Sequence, residues 1–487
     1  MKNMKKLIIG ILAALALTAC NVDEFLNVKP IGKIIPSTVS DFDLLMNDYQ
    51  TTLYKLNNMR YIDPDAYLTD ADYNSLWYEY LKQNYKWESD YYGLNGFDEG
   101  YDLTYRNIMT YNTVIEGIDA AELDGFSEDD RQRIKGEAIG SRALDLFLLA
   151  QEYGPAYGSN TLNDPCIVMP IKIDLGAQLS RSTVEEVYTK ILSDVQIAIN
   201  LLENVAPVHN VRNNMRPGKA AIRALLAEIH LAMGNFSEAA QAADETLAMY
   251  SFVQDYINDI HLANPSNTWA GVVDSNSEFV FNRLTDDKSV LWNRYSSATF
   301  RDGWHMLYHP DLVTLFTEDY DNDLSVNSDQ RWNFFSSQRG YYSAEDDYTP
   351  NYIYATYKRQ VSVGMSVALT LLNAAESKAR LGDNQGALNA LNTLLKNRIL
   401  GFTDLTIADV TDVLRLVKNE RRKEFTASGL NVVDLKRYHA LGDAVATYTR
   451  TILGETFTLA PGSNEYFPPI YAKALEQNPN LSPKPYN

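Results

Sequence analysis

The stretch that decides the fold is PGKAAIRALLAEIHLAMGNFSEAAQAADETLAMY, residues 217–250. Its apolar residues recur at intervals of three and four up to Met233, which places them on one face of an α-helix. Gly234 and Asn235 then end that helix, and the alanines that follow from Ala239 have the same spacing. The stretch therefore predicts a helical hairpin with small residues where its two helices cross.

The same helical period returns elsewhere in the chain. Residues 367–398 repeat the hairpin around Gly382, residues 134–153 form one long run that ends at Gly154-Pro155, and residues 413–438 form a fourth helical stretch. The spacing of the alanines and turn residues resembles a tetratricopeptide repeat. The predicted fold class is mostly α, with tetratricopeptide-like hairpins as a scaffold and a long irregular insertion that carries a few short strands.

The N-terminus predicts export and lipid attachment. Three lysines precede the apolar run 7–17, which is too short to span a bilayer, and small residues lead to Cys20. We therefore interpret residues 1–19 as a lipoprotein signal peptide and Cys20 as the lipidated N-terminus of the mature chain. Residues 20–40 are predicted to be an extended tether, and residues 41–487 a single body.

Charge and cysteine content exclude several classes of function. The formal net charge is −20, and it falls to −23 when the three lysines of the signal peptide are removed. A nucleic-acid ligand is not expected because it needs a basic surface, and anionic headgroups would repel the chain, so attachment rests on the lipid at Cys20. Cys166 is the only other cysteine, which leaves no intramolecular disulfide.

Four segments that bracket the mature chain carry the motifs of one protein family. They are Cys20…Phe25-Leu26…Pro30, Gly136-Glu137-Ala138…Arg142-Ala143…Tyr153-Gly154, Asn419-Glu420-Arg421-Arg422-Lys423-Glu424-Phe425…Asp434-Leu435-Lys436-Arg437-Tyr438, and Phe467-Pro468-Pro469-Ile470…Asn478-Pro479-Asn480-Leu481…Pro485-Tyr486. Together they resemble the SusD/RagB family of surface lipoproteins. The departures are mild: Ser428 stands where the family usually has Glu, and Tyr438 where Trp is common. We expect the charged run to form buried Arg–carboxylate pairs and not a ligand site.

The resemblance implies a function in nutrient capture. Members of this family sit on the outer membrane and pair with SusC-like TonB-dependent transporters, so this chain is expected to face the cell exterior and to deliver its ligand to such a transporter. The expected ligand is an oligosaccharide or polysaccharide. No cofactor and no enzymatic activity are implied.

Aromatic residues cluster in two loop-rich regions, residues 67–100 and 271–357. A sugar ring has apolar faces that stack on Trp or Tyr, and amides or charged groups such as Asn84 and Arg294 would then bind its hydroxyls. A single ring of this kind is more often a packing residue, so the prediction rests on the clustering. The predicted ligand-binding residues are Trp77, Tyr78, Tyr91, Tyr92, Trp292 and Trp304.

Two other binding functions stay open. Aromatic and acidic loops would also suit a peptide-capturing member of the same family. A tetratricopeptide-type scaffold that binds only protein would instead bury its aromatic rings and present a concave groove.

Catalytic and metal motifs are weak. The sequence has no Gly-x-Ser-x-Gly, His-Glu-x-x-His or phosphate-binding Gly-rich loop, although a pair of glycosidase carboxylates would leave no motif. His305 and His309 have the spacing of metal ligands, but we interpret them as packing or surface residues. The run that begins at Asp319 starts like a calcium loop, yet Leu324 and Gln330 replace the Gly and Glu that an EF-hand requires. A looser calcium site there is retained as an alternative.

Overall fold

The computed structural model describes residues 36–48, 57–76, 78–88, 96–174, 176–208, 214–259, 287–297, 307–318, 328–338, 351–354 and 360–486. Sixteen α-helices lie in this part of the chain. They are α1 Val39–Met46, α2 Asn57–Ile62, α3 Asp70–Ser75, α4 Glu79–Tyr85, α5 Glu99–Gly117, α6 Glu128–Tyr153, α7 Val184–Leu201, α8 Lys219–Met233, α9 Phe236–Met249, α10 Pro310–Glu318, α11 Gln330–Phe335, α12 Val367–Arg380, α13 Asn384–Leu395, α14 Val413–Glu424, α15 Leu430–Ala440 and α16 Ala472–Gln477.

The strands of the described residues are short and antiparallel. They are β1 Ala66–Tyr67, β2 Val290–Trp292, β3 Tyr295–Ser297, β4 Leu307–Tyr308, β5 Ser336–Ser337, β6 Ile353–Tyr354, β7 Gln360–Ser362, β8 Met365–Ser366, β9 Tyr448–Ile452 and β10 Glu455–Leu459. Four of them form a sheet in the order β1-β4-β6-β5, and the others pair as β9 with β10, β2 with β8, and β3 with β7. The mostly helical fold class with short strands is confirmed.

The hairpin predicted over residues 217–250 is present as α8 and α9. Gly234 adopts a left-handed conformation with φ of 77°, and its N–H donates to the carbonyls of His230 and Leu231, so it ends α8. The second helix begins at Phe236, directly after Asn235. Ala239 and Ala243 are fully buried at the crossing, which lets α9 approach its neighbours closely.

A second hairpin, α12 and α13, stacks on the first and shares its core. Leu372 and Ala375 of α12 belong to the same buried cluster as Leu225 of α8 and Leu391 of α13. This stacking confirms the tetratricopeptide-like character of the scaffold, because neighbouring helix pairs bury their apolar faces against one another.

Two predicted helical runs have different bounds in the structure. The run predicted from residue 134 begins six residues earlier as α6, because Ser127 and Asp130 form a capping box that starts the helix. The run predicted over residues 413–438 is two helices, α14 and α15. Gly429 separates them with φ of 82°, and a Cβ at this glycine would lie 2.8 Å from the Cβ of Met59.

The charged run on α14 forms a buried network of ion pairs, as predicted. The Arg421 guanidinium donates to Asp434 at 2.7 Å and to Glu228 at 3.1 Å, which ties α14 to α15 and α8. Arg437 donates to both oxygens of Glu376, at 2.6 and 2.8 Å. Burial alone would raise the pKa of Glu376, but Arg437 and neighbouring arginines lower it to about 2. These charges therefore orient helices against one another.

Other predictions fall partly outside the described residues. The signal peptide and most of the tether lie outside them, and the first described helix, α1, begins at Val39. The described parts of the insertion 271–357 contain α10 and α11 besides short strands, so it is less irregular than predicted. The division into tether and single body stays a prediction. None of the helices described here has the length and hydropathy needed to cross a membrane.

Candidate functional site

The exposed part of the first aromatic region lies at the start of α4. Tyr78 is the N-cap residue of this helix and is 47% exposed. Its ring centroid lies 5.6 Å from that of the half-buried Tyr80, with an interplanar angle of 34°. We call Tyr78 and Tyr80 the aromatic surface. Two tilted rings of this kind present an apolar face with a phenolic hydroxyl at its edge.

Arg450 of the β9–β10 hairpin contacts the other end of α4 and the segments that pack beside it. Its guanidinium lies 4.2 Å from the ring centroid of Tyr85 and 4.3 Å from that of Trp87. Its nitrogens donate to the backbone carbonyls of Tyr61, Tyr85 and Ala66 at 2.8, 2.8 and 3.1 Å. One side chain thus joins α2, β1 and α4, which fixes the backbone on which Tyr78 is placed.

Two aspartates fix the same region to the helical scaffold. Asp65 accepts from Nε of Arg422 at 2.8 Å, and Oδ1 of Asp63 accepts from the Asn431 amide at 2.7 Å. Burial, with the nearby charge of Asp65, raises the pKa of Asp63 to about 7. A cavity of about 10 Å³ beside both carboxylates has room for about one water molecule.

Asn84 is not placed to bind sugar hydroxyls. It is fully buried, and its amide donates to Oδ1 of Asn58 at 3.0 Å, while Asn58 donates to Asp98 at 3.1 Å. The prediction of Asn84 as a ligand-facing group is therefore wrong. Its place on the inner face of α4, with Leu81 and Tyr85, explains why.

The prediction that Trp292 faces a ligand is contradicted by its burial. It lies on β2 with none of its surface exposed, and its indole N–H donates to the carbonyl of Met215 at 3.1 Å. The Arg294 guanidinium lies 4.8 Å from its ring and donates to Asp145 of α6 at 3.2 Å. Arg294 is itself 1% exposed, so it too belongs to the core and is not available to sugar hydroxyls.

The other four predicted ligand-binding residues lie outside the described residues. They are Trp77, Tyr91, Tyr92 and Trp304. Among the six predicted positions, the structure therefore shows one exposed ring, at Tyr78, and one buried ring, at Trp292.

Sequence reasoning missed Arg450 and the hairpin that carries it. The signal was present in Tyr448-Thr449-Arg450-Thr451-Ile452-Leu453-Gly454-Glu455-Thr456-Phe457-Thr458-Leu459, which alternates polar and apolar residues on both sides of a Leu-Gly turn. The hairpin register pairs Thr451 with Thr456 and Arg450 with Phe457. The backbone partners of Arg450 lie far away in sequence, between Tyr61 and Tyr85, and no local pattern reveals them.

The described residues hold no group of three or more His, Cys, Asp or Glu side chains that could bind a metal. His309 packs edge-on against Tyr67 with ring centroids 6.1 Å apart, and its Nδ1 accepts from the N–H of Asp311 at 3.3 Å. His305 and the calcium-like run from Asp319 are outside the described ranges, so the calcium alternative remains untested.

Sequence comparison assigns the family. Residues 24–231 match the SusD-like family described as starch-binding and associating with the outer membrane, and residues 293–486 match the SusD family that includes RagB. Residues 4–21 match the prokaryotic membrane lipoprotein lipid attachment site. The chain belongs to the SusD/RagB family and carries a lipoprotein attachment site, which supports a nutrient-binding lipoprotein anchored in the outer membrane.

Solved structures share the fold at low sequence identity. A SusD superfamily protein from Bacteroides thetaiotaomicron VPI-5482 is 18% identical, with a TM-score of 0.68 over 92% of this chain and 99% of that one. A SusD-like carbohydrate-binding protein from Bacteroides vulgatus ATCC 8482 is 20% identical, with a TM-score of 0.64 over 91% and 97%. Another from Bacteroides fragilis NCTC 9343 is 15% identical, with a TM-score of 0.62 over 92% and 100%. No curated protein matches the chain significantly.

Proposed function

We propose that this lipoprotein captures an oligosaccharide or polysaccharide at the cell exterior and delivers it to a SusC-like TonB-dependent transporter. The observation that carries the proposal is the aromatic surface, where Tyr78 is exposed beside Tyr80 on a backbone braced by Arg450. Family membership and the carbohydrate-binding descriptions of two structural relatives support the same class of ligand.

The chemistry of the aromatic surface suits a sugar. The apolar C–H face of a pyranose packs on the Tyr78 ring, and each well-placed ring contact contributes about 0.5–1.5 kcal/mol beyond the area it buries. Asn74 and Glu79, close to Tyr78 in sequence, are exposed and offer an amide and a carboxylate to sugar hydroxyls. Because Arg450 fixes the backbone in advance, binding costs little ordering of the protein.

The lipid at Cys20 would hold the protein at the membrane without a spanning helix, since buried acyl chains contribute about 0.8 kcal/mol per methylene. The protein would bind and release its ligand and catalyse no reaction. The energy for import would come from the transporter.

Calorimetric titration of the chain begun after Cys20 tests the ligand. The titrants are a panel of oligosaccharides and a panel of oligopeptides, and the variant is Tyr78→Ala. Phe252→Ala is the matched control, because Phe252 is also an exposed ring, at 40%. Saturable binding of a sugar that weakens about tenfold in Tyr78→Ala alone is the expected result. Binding of peptides but not sugars would replace the glycan proposal with the peptide alternative, and binding of neither would overturn both.

Co-purification tests the partner. The tagged, lipidated chain is expressed with a TonB-dependent transporter encoded beside it and extracted in mild detergent. The transporter should elute with the chain in a defined ratio, and the Cys20→Ser variant separates contact between the proteins from shared membrane residence. A transporter that never elutes with the chain would contradict delivery.

A further inference from the structure

A second cleft lies beside the ring of Tyr466, away from the aromatic surface. It is bounded by the turn that follows α6, by the last residues of α15 and by the closing segment of the chain, and its volume is about 160 Å³. We call it the strap cleft. Sites for drug-sized ligands measure roughly 300–1,000 Å³, so this one fits a single small ring.

One wall of the strap cleft is aromatic. Phe467 and Tyr486 meet edge to face with ring centroids 5.8 Å apart. The Lys436 ammonium lies 4.8 Å from the Phe467 centroid and donates to backbone carbonyls at the end of α6, Glu152 at 3.4 Å and Gly154 at 3.3 Å among them. Those carbonyls occupy its donors, so Lys436 shapes the wall without offering a free N–H.

The lining of the strap cleft includes polar side chains that make no hydrogen bonds to the described residues. The Ser463 hydroxyl is buried and has no hydrogen-bond partner among the described residues. The side chains of His439 and Asn160 are exposed, and neither makes a hydrogen bond to the described residues. A buried hydroxyl without a partner costs about 1–3 kcal/mol, a cost that a bound ligand would remove.

The lining is also unusual in charge. None of the described residues that line the strap cleft is Asp or Glu, although the chain has a net charge of −20. A cationic ligand therefore has no counterion there. A neutral or acidic ligand meets hydroxyl, amide and imidazole groups around an aromatic wall.

We propose that the strap cleft binds one polyhydroxylated ring, either a free monosaccharide or the end unit of an oligosaccharide. The apolar face of the ring packs on the half-buried Tyr486, which the buried Phe467 holds in place, and its hydroxyls pair with His439, Asn160 and Ser463. The inference rests on the proposed function only for the class of ligand. The strap cleft is a site separate from the aromatic surface, and Tyr78 takes no part in it.

Saturation-transfer NMR with a panel of neutral hexoses and uronic acids tests the proposal on the chain begun after Cys20. Ala440 lines the strap cleft at the end of α15, so Ala440→Phe fills it. Ala379→Phe is the matched control, because Ala379 is also half-buried in the last turn of a helix. Monosaccharide signals should fall at least about tenfold in Ala440→Phe and persist in Ala379→Phe and Tyr78→Ala.

His439→Ala and Asn160→Ala, at exposed positions that leave packing intact, keep the test decisive if Ala440→Phe does not fold. Each should weaken monosaccharide binding by about fivefold or more, because each removes one hydrogen bond to the ligand. A second experiment adds longer oligosaccharides of the same sugar as competitors. If they displace the monosaccharide, the strap cleft binds the end unit of an oligosaccharide; if they do not, it binds the free monosaccharide.

The outcomes separate this inference from the proposed function. No monosaccharide signal in the wild-type chain, or a signal that Ala440→Phe, His439→Ala and Asn160→Ala all leave unchanged, overturns the strap cleft. Loss of oligosaccharide binding in Tyr78→Ala would still support the aromatic surface. Conversely, monosaccharide binding sensitive to Ala440→Phe would stand even if Tyr78→Ala left every ligand unaffected.

Discussion

Two regions of this protein look alike in sequence and differ in the structure. Around Tyr78 and around Trp292, aromatic residues are mixed with polar residues in segments without clear helical period. Tyr78 is 47% exposed, whereas Trp292 has no exposed surface. Aromatic composition therefore identifies segments rich in contacts, but it does not say whether the rings contact ligand or core.

The arginine beside each ring shows how the two regions come to differ. Arg294 stacks on Trp292 and pairs with Asp145, a carboxylate on the long helix α6, so ring and arginine are drawn into the core together. Arg450 stacks on Tyr85 and Trp87 and donates to backbone carbonyls, so it buries those two rings and leaves Tyr78 outside. Stacking of an arginine on aromatic rings thus accompanies complete burial around Trp292, whereas around Tyr78 it leaves one ring exposed.

The largest expected effect is on stability, from Trp292→Ala. Removal of a fully buried Trp leaves a cavity and should lower the free energy of unfolding by about 3–5 kcal/mol. Urea unfolding followed by circular dichroism measures it. Ligand affinity of the folded fraction should not change, and a loss of affinity with little loss of stability would restore Trp292 as a ligand-binding residue.

Arg450→Met should lower both the stability of the fold and the affinity for glycan. The carbonyls of Tyr61 and Tyr85 lose a charged donor, and each buried carbonyl left without a partner costs about 1–3 kcal/mol, so we expect a total of at least about 2 kcal/mol. Because α4, whose N-cap is Tyr78, loses this contact at Tyr85, glycan affinity should also fall about tenfold. Arg294→Met is the control: it should destabilise the fold without changing affinity when both are measured by unfolding and calorimetry.

The pH dependence of stability should differ at the two buried aspartates. Burial, with the charge of Asp65, raises the pKa of Asp63 to about 7, and burial raises the pKa of Asp145 to about 6. The pKa of an unfolded aspartate is about 3.9. When the pKa is higher in the folded protein, the contribution of that carboxyl to stability is fully present below about pH 3.9 and is lost as the pH rises through the folded-state pKa. The wild-type chain should therefore lose stability relative to Asp63→Asn between about pH 4 and 7, and relative to Asp145→Asn between about pH 4 and 6.

The size of this loss follows from the difference between the folded and unfolded pKa of each carboxyl. A difference of one in pKa corresponds to about 1.4 kcal/mol, so the change in unfolding free energy across each window should exceed that value. Urea unfolding at intervals of about half a pH unit measures it. Parallel pH profiles for the wild-type chain and both variants would show that neither aspartate has a raised pKa.

The smallest effect on stability is expected for Tyr78→Ala. An exposed side chain away from the core changes the free energy of unfolding by no more than about 0.5 kcal/mol. Glycan affinity should still fall about tenfold, or about 1.4 kcal/mol. A larger loss of stability than of affinity would place Tyr78 with Trp292 as a packing residue.

The helical scaffold could be predicted because its signals are local. Apolar period and a glycine in the left-handed region define the hairpin around Gly234, and the same signals recur around Gly382. The boundary between α14 and α15 lies at Gly429, in an uncharged stretch that follows the charged run 419–424. The glycine is required there by the close approach of Met59, which no nearby residue reveals.

The candidate site could be predicted only in outline. Clustering of aromatic residues located the segment around Tyr78, but burial of Asn84 depends on Asn58, and burial of Trp292 depends on Met215. Such contacts join residues that are 26 and 77 positions apart. Local composition does not reveal them, which is why Asn84 and Arg294 were predicted to be exposed to sugar although both are buried.

A crystal structure of the chain begun after Cys20 with the tightest-binding oligosaccharide tests the central claim most directly. The account predicts a pyranose ring stacked on Tyr78, in van der Waals contact at about 4 Å, with Arg450 still bonded to the Tyr85 carbonyl and Trp292 buried as before. A sugar bound elsewhere with Tyr78 bare, or a Trp292 ring turned outward to contact the sugar, would contradict it.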